Sequence, residues 1–142
     1  MNTLTEIKGD LFTSSDSLAH CVSQDLNMGA GIALNFAYRY GGQSILRQQN
    51  KVPSQVAFLQ QGDRFIYYLI TKEKYWHKPT YETLRLCLRE LFRLCSEHNV
   101  HKLSLPRIGC GLDRLEWNQV KRIILEEMNI GTRNLEVKVY SL

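Results

Sequence analysis

Apolar residues recur along this chain with two different periods. Leu84, Cys87, Leu88, Leu91, Phe92 and Cys95 fall at i, i+3, i+4, i+7, i+8 and i+11, one face of a helix that ends near Asn99. Trp117, Val120, Ile123, Ile124 and Met128 mark another helix, which Gly131 is expected to end. Shorter runs have the length and boundaries of strands. Leu4, Ile7 and Leu11 flank a first strand stopping at Gly9-Asp10, and Ser17 to Val22 is an apolar run bounded by polar residues, as a buried strand is. Ile32, Leu34, Phe36 and Ala37 begin a helix that Gly41-Gly42 breaks, and a short helix is expected over Gln43 to Asn50. Val56 to Gln60 and Arg64 to Thr71 predict two strands joined around Gly62-Asp63 as a hairpin. Tyr67 and Tyr68 then point to opposite faces, so at least one belongs to the core. Leu103 to Leu105 and the alternation from Leu135 to Tyr140 are the last strands, and the hairpin makes the sheet mixed.

Composition adds bounds to this α/β pattern. At 142 residues, 44% hydrophobic and 23% charged, residues 1–142 read as one globular domain without repeats or linkers. The N-terminus has no apolar leader, and Phe65 to Ile70 is the longest purely apolar run, far too short to span a bilayer; an intracellular, nuclear and/or cytoplasmic protein with no membrane partner is expected. Cys21, Cys87, Cys95 and Cys110 are expected as free thiols, the middle two as small buried hydrophobes on a helix face. His20, His77, His98 and His101 make no compact ligand set, so neither a metal nor a cofactor is expected. The net charge of +4 fits an anionic ligand, but its scatter makes it chiefly a statement about solubility.

Two stretches have the residue types of a ligand loop. From Leu103 to Leu115 an apolar run stops at Pro106, passes Gly109 and Gly111, and meets Asp113 and Glu116 before a helix expected to start near Arg114. Glycines let backbone N–H groups approach a ligand, and a helix N-terminus adds its positive dipole end, a combination suited to phosphate. Alone, such a turn can also bind nothing. The stretch from Ser23 to Gly31 repeats the strand, glycine loop and helix, and two such loops at strand ends favour a phosphate site. Asp10 can accept hydrogen bonds from a purine amine or simply close its turn. Asp113 with Glu116 has the spacing of a capping box. Lys78 precedes Pro79, which suits the first helical position, and a solvated lysine is the plainer account of it.

The strings Gly9-Asp10-Leu11-Phe12, His20-Cys21-Val22-Ser23, Asn27-Met28-Gly29-Ala30-Gly31-Ile32-Ala33, Lys78-Pro79-Thr80-Tyr81 and Pro106-Arg107-Ile108-Gly109-Cys110-Gly111-Leu112-Asp113 resemble the macrodomain family. Within it they resemble the branch of the terminal ADP-ribose protein glycohydrolase, also described as an O-acetyl-ADP-ribose deacetylase. The resemblance covers essentially the whole chain. It implies a three-layer α/β/α fold with a mixed central sheet and ADP-ribose bound across the strand ends. Asp10 and Leu11 would line the adenine pocket. His20, Ser23, Gly29, Ala30, Gly31 and Ile32 would lie along the ligand, the last five residues of that set flanking the distal ribose. Arg107, Ile108, Gly109, Cys110, Gly111 and Leu112 would carry the diphosphate, and Leu142 would lie near the nucleotide. Lys78 and Asp113 occupy the positions that carry the chemistry in that branch. The Asn-x-x-Asn and triple-glycine signature of other hydrolytic macrodomains is missing, with His20 to Ser23 at the first of these places, so a mechanism using those asparagines is not expected.

The resemblance thus implies hydrolysis of ADP-ribosyl esters on glutamate or aspartate of modified proteins, and deacylation of O-acyl-ADP-ribose, with Lys78 as nucleophile and Asp113 as base. The anomeric carbon of such an ester is an aldehyde equivalent that a neutral amine can attack. Expected partners are ADP-ribose and ADP-ribosylated proteins, and the protein is expected to be monomeric. The competing readings are a non-catalytic ADP-ribose reader, a weak nucleic-acid binder using the basic, aromatic Lys72 to Lys78 segment, and an enzyme with a Cys110 nucleophile, which lacks an obvious paired histidine.

Overall fold

The computed structural model describes residues 1–142. Six strands form one sheet: β1 (Thr3–Lys8), β2 (Ser17–Ser23), β3 (Val56–Gln61), β4 (Arg64–Lys72), β5 (Lys102–Pro106) and β6 (Glu136–Ser141). Their spatial order is β1-β6-β5-β2-β4-β3, and every neighbouring pair is parallel except the β3–β4 hairpin. The helices are α1 (Gly31–Tyr40), α2 (Gln43–Gln48), α3 (Tyr81–Glu97) and α4 (Trp117–Gly131). None is long and apolar enough to cross a membrane.

The period-two alternation of β4 divides the core. Tyr67 and Leu69 pack with Leu84, Leu88, Leu91 and Phe92 of α3 and with Val120 and Ile124 of α4. Ile66, Tyr68 and Ile70 pack on the opposite face with Phe36 of α1 and Leu46 of α2. Both tyrosines are therefore core, one in each layer. A central strand covered on both faces needs an apolar residue at nearly every position, which is why Ser17–Ser23 reads as a continuous run instead of an alternating one. The helical stripe of α3 is buried from Leu84 to Cys95 as its spacing predicts, and all four cysteines are free.

At three helix ends the signal acts through a different device or at a shifted position. Thr80 is the N-cap of α3, its side chain accepting from Thr83 N, so Pro79 stands one residue outside the helix. Gly131 is the last residue inside α4, followed by an extended Thr132. A Cβ at Gly131 would lie 2.9 Å from Phe92 Cβ, so glycine there permits the approach of α3 to α4 and is not a left-handed stop. Finally, α4 begins at Trp117 and not near Arg114, because Arg114 adopts φ +64, in the left-handed region. Its N-cap is Glu116, which makes no side-chain capping bond, and Asp113 is left free for other partners.

Candidate active site

The parallel strands β2, β4 and β5 end on the same edge of the sheet, at Ser23, Lys72 and Pro106. The loops that follow them, together with the first turn of α1, enclose a cavity of about 680 Å3. That volume suits a ligand of nucleotide size. One wall is Asn27 to Ala33. Ala30 is the N-cap of α1 and supplies no side-chain hydrogen bond, so the first N–H groups of the helix remain available to an anion. The facing wall is Pro106 to Gly109 and Gly111 to Arg114. It is shaped by its own turns: Cys110 N donates to Arg107 O, Arg114 N to Gly111 O, and Leu115 N to Gly109 O at 2.7 Å. Gly109 sits at φ +74 with Leu115 so close that an added Cβ would meet its side chain at 2.9 Å.

Asp25 ties the first wall to the segment after β4. Its carboxylate accepts from Ser23 Oγ and, at 3.1 Å each, from the backbone N–H groups of Asn27 and Tyr75. Burial pushes the Asp25 carboxyl up, but these donors outweigh it and hold the group below the usual carboxylate range. Tyr75 reaches the cavity, while Trp76 is 63% exposed beyond its rim.

Lys78 and Asp113 reach the same wall from sequence positions far apart. Lys78 Nζ donates to Leu112 O at 2.8 Å, one residue from Asp113. The Asp113 carboxylate is held by Lys72, whose Nζ lies 2.6 Å from Oδ1. The two side chains are only 13% and 16% exposed. Sequence reasoning counted Lys72 only as part of a basic surface segment. The signal that could have found it is its place at the C-terminal end of a buried strand, directly after Thr71. There β4 carries an irregularity opposite Val22 and Ser23, and such bulges re-aim the side chain that follows.

Of the other expected site residues, Ser23, Gly29, Ala30, Gly31, Ile32, Arg107, Ile108, Gly109, Gly111 and Leu112 line the cavity. Asp10 instead caps the short turn Leu11–Thr13, accepting from Phe12 N at 2.9 Å, and Leu11 is buried beneath it. Leu142 is fully exposed at the chain end. Cys110 stands beside the loop without lining the cavity; its Sγ bonds Ile108 O, and burial pushes its thiol up to about 11, which argues against a nucleophilic thiolate. His20 is not on the cavity wall: its ring is fully buried, stacked on Phe36 with centroids 3.6 Å apart. The strand period turns it into the α1 layer with Leu18 and Val22.

A model of the Macro domain family matches residues 19–124. The chain is 49% identical over 141 residues to the ADP-ribose glycohydrolase OARD1 of Bos taurus, and 48% identical over 141 residues to that of Homo sapiens. Each alignment covers 98% of this chain and 91% of the relative. The solved macrodomain of Thermus aquaticus DarG superposes with a TM-score of 0.89 at 24% identity, covering 100% of both chains, a likeness of fold.

Proposed function

The chain belongs to the Macro domain family, and on that premise we propose that it is an ADP-ribosyl ester hydrolase. It removes ADP-ribose from glutamate or aspartate of modified proteins and deacylates O-acyl-ADP-ribose. Lys78 is the nucleophile and Asp113 the base. The observation that carries this reading is the convergence of Lys78 and Asp113 on one wall of the cavity, with Lys78 Nζ 2.8 Å from Leu112 O. The glycine loop and the open N-terminus of α1 face each other across the same space. They offer backbone donors for a diphosphate, which orients the anomeric carbon toward the lysine.

In the first step the Lys78 nitrogen forms a bond to the anomeric carbon as the ester C–O bond breaks. The electron pair leaves with the glutamate or aspartate carboxylate, and the nitrogen's proton passes to a base. In the second step water, deprotonated by Asp113, adds to that carbon, and the lysine departs with its pair and a proton. ADP-ribose and the free enzyme result.

Side-by-side assays of wild type, Lys78→Ala and Asp113→Ala test the assignment, using ADP-ribose release from a glutamate-linked ADP-ribosylated protein, with ADP-ribose binding measured on each. The expected result is that both variants bind and lose on the order of 10²-fold or more in release. A Lys78→Ala protein with full activity overturns the nucleophile assignment. The second reading is a non-catalytic reader, favoured by one feature: the Asp113 carboxylate is already engaged by Lys72. Wild type that binds ADP-ribose and releases none from any ester establishes that reading instead.

A further inference from the structure

We propose that Lys72 is a positioning residue: it holds the Asp113 carboxylate at the cavity wall and keeps it from capturing Lys78. The inference rests on the hydrolase reading above and adds a residue to it.

The geometry begins with Asp113 itself. It lies between Gly111 and the left-handed Arg114, in a loop held by backbone turns and by the Lys78 bond to Leu112 O. Its carboxylate makes one side-chain hydrogen bond, to Lys72, and Lys72 in turn makes no other ion pair. Without that lysine nothing fixes the direction of the acid. Lys72, by contrast, is anchored at both levels. Its backbone belongs to β4 and its carbonyl accepts from Gln24 N at 2.8 Å, while its side chain is mostly shielded. A shielded, charge-assisted contact of this length orients its partner far better than an exposed surface pair does.

Lys78 has the opposite situation. It is exposed, and its Nζ rests on the neutral carbonyl of Leu112, the residue adjoining Asp113. An unpaired carboxylate so near would take that ammonium into an ion pair, and a lysine tied in that way does not attack carbon. Lys72 occupies the acid first. The expected signature of its loss is therefore slower turnover with the ligand still bound, because the backbone donors that face the cavity are untouched.

The test uses Lys72→Met, nearly the same length without charge, with Lys72→Arg as the conservative variant and Lys72→Gln as a second uncharged one should the methionine protein fail to melt cooperatively. Turnover of a glutamate-linked ADP-ribosyl ester, its KM and the Kd of ADP-ribose are measured on each, alone and with Asp113→Asn. The uncharged variant is expected to lose roughly 10- to 100-fold in kcat with KM and Kd within about threefold, Lys72→Arg to recover most of the loss, and the double variant to be no slower than Asp113→Asn alone. Unchanged kcat in Lys72→Met overturns the proposal, as does a rise in Kd at constant kcat, which would make Lys72 a ligand contact. If Asp113→Asn is inactive while Lys72→Met is normal, only the role of Lys72 falls. If Asp113→Asn keeps full activity, the base assignment falls and the role of Lys72 with it.

Discussion

Protonation of His20 should set the acid limit of this fold. The ring is fully buried, stacked face to face on Phe36 and edge-on to Tyr68 at 4.8 Å, and neither Nδ1 nor Nε2 has a hydrogen-bond partner. Burial pushes its pKa down to about 3. In the unfolded chain the same imidazole titrates near ~6.5. Between those values the unfolded state takes up a proton that the folded state refuses. The stability is therefore fully present above pH ~6.5 and is lost as pH falls toward the folded value, at about 1.4 kcal/mol per pH unit. Going from pH 7 to pH 5 the loss from this one group comes to about 2 kcal/mol, a large share of the stability of a small domain. Other groups titrate as well, so the measurement is a difference. Urea unfolding of wild type and His20→Leu is followed at both pH values, and the leucine protein should lose about 2 kcal/mol less than wild type. At pH 7 the substitution exchanges a stacking contact worth about 1 kcal/mol for the removal of two unpaired buried nitrogens, each costing about 1–3 kcal/mol, so it should be neutral or stabilising. Parallel losses in the two proteins between pH 7 and pH 5 would refute the argument.

Other substitutions probe the packing around the site. Gly131→Ala puts a Cβ 2.9 Å from Phe92 Cβ and must push α4 from α3; a cost of about 1–3 kcal/mol in chemical denaturation is expected. Glu127, only 2% exposed in α4, accepts from Arg85 and Arg89 of α3 at 2.8 and 2.9 Å. Both arginines reach solvent, so Glu127→Ala should cost about 2 kcal/mol by thermal or urea melts, less than for a fully enclosed pair. Asp25→Ala releases three donors that join the β2–α1 loop to Tyr75. Its expected effect is weaker ADP-ribose binding by about tenfold, read by calorimetry, with the melting temperature little changed.

The sequence shows the fold wherever a period repeats. The stripe of α3, the hairpin at Gly62-Asp63 and the buried run of β2 each state their own burial, because one contact rule acts on many residues. Single-residue signals fare differently. Asp113 and Glu116 have the spacing of a capping box, a local arrangement. The carboxylate instead bonds Lys72, 41 residues away, and no local spacing records that competitor. Gly131 does end α4, but only the neighbouring helix reveals that its missing Cβ serves packing. His20 belongs to a string that resembles ligand-binding residues, yet strand alternation alone turns it into the core layer beneath α1.

The same contrast explains how two lysines of one basic segment come to differ. From sequence, Lys72 to Lys78 is a single polar and aromatic stretch suited to a surface. The structure divides it at the end of β4. Lys72 is still strand, its backbone paired with the residues after β2, whereas Lys78 stands beyond the exposed Tyr75-Trp76-His77 turn. A lysine fixed in a sheet can hold a charge in place, while one on a loop can travel to a carbon atom. The proposed reaction uses both behaviours beside one carboxylate. A strand end that leads into an exposed loop supplies them within seven consecutive residues.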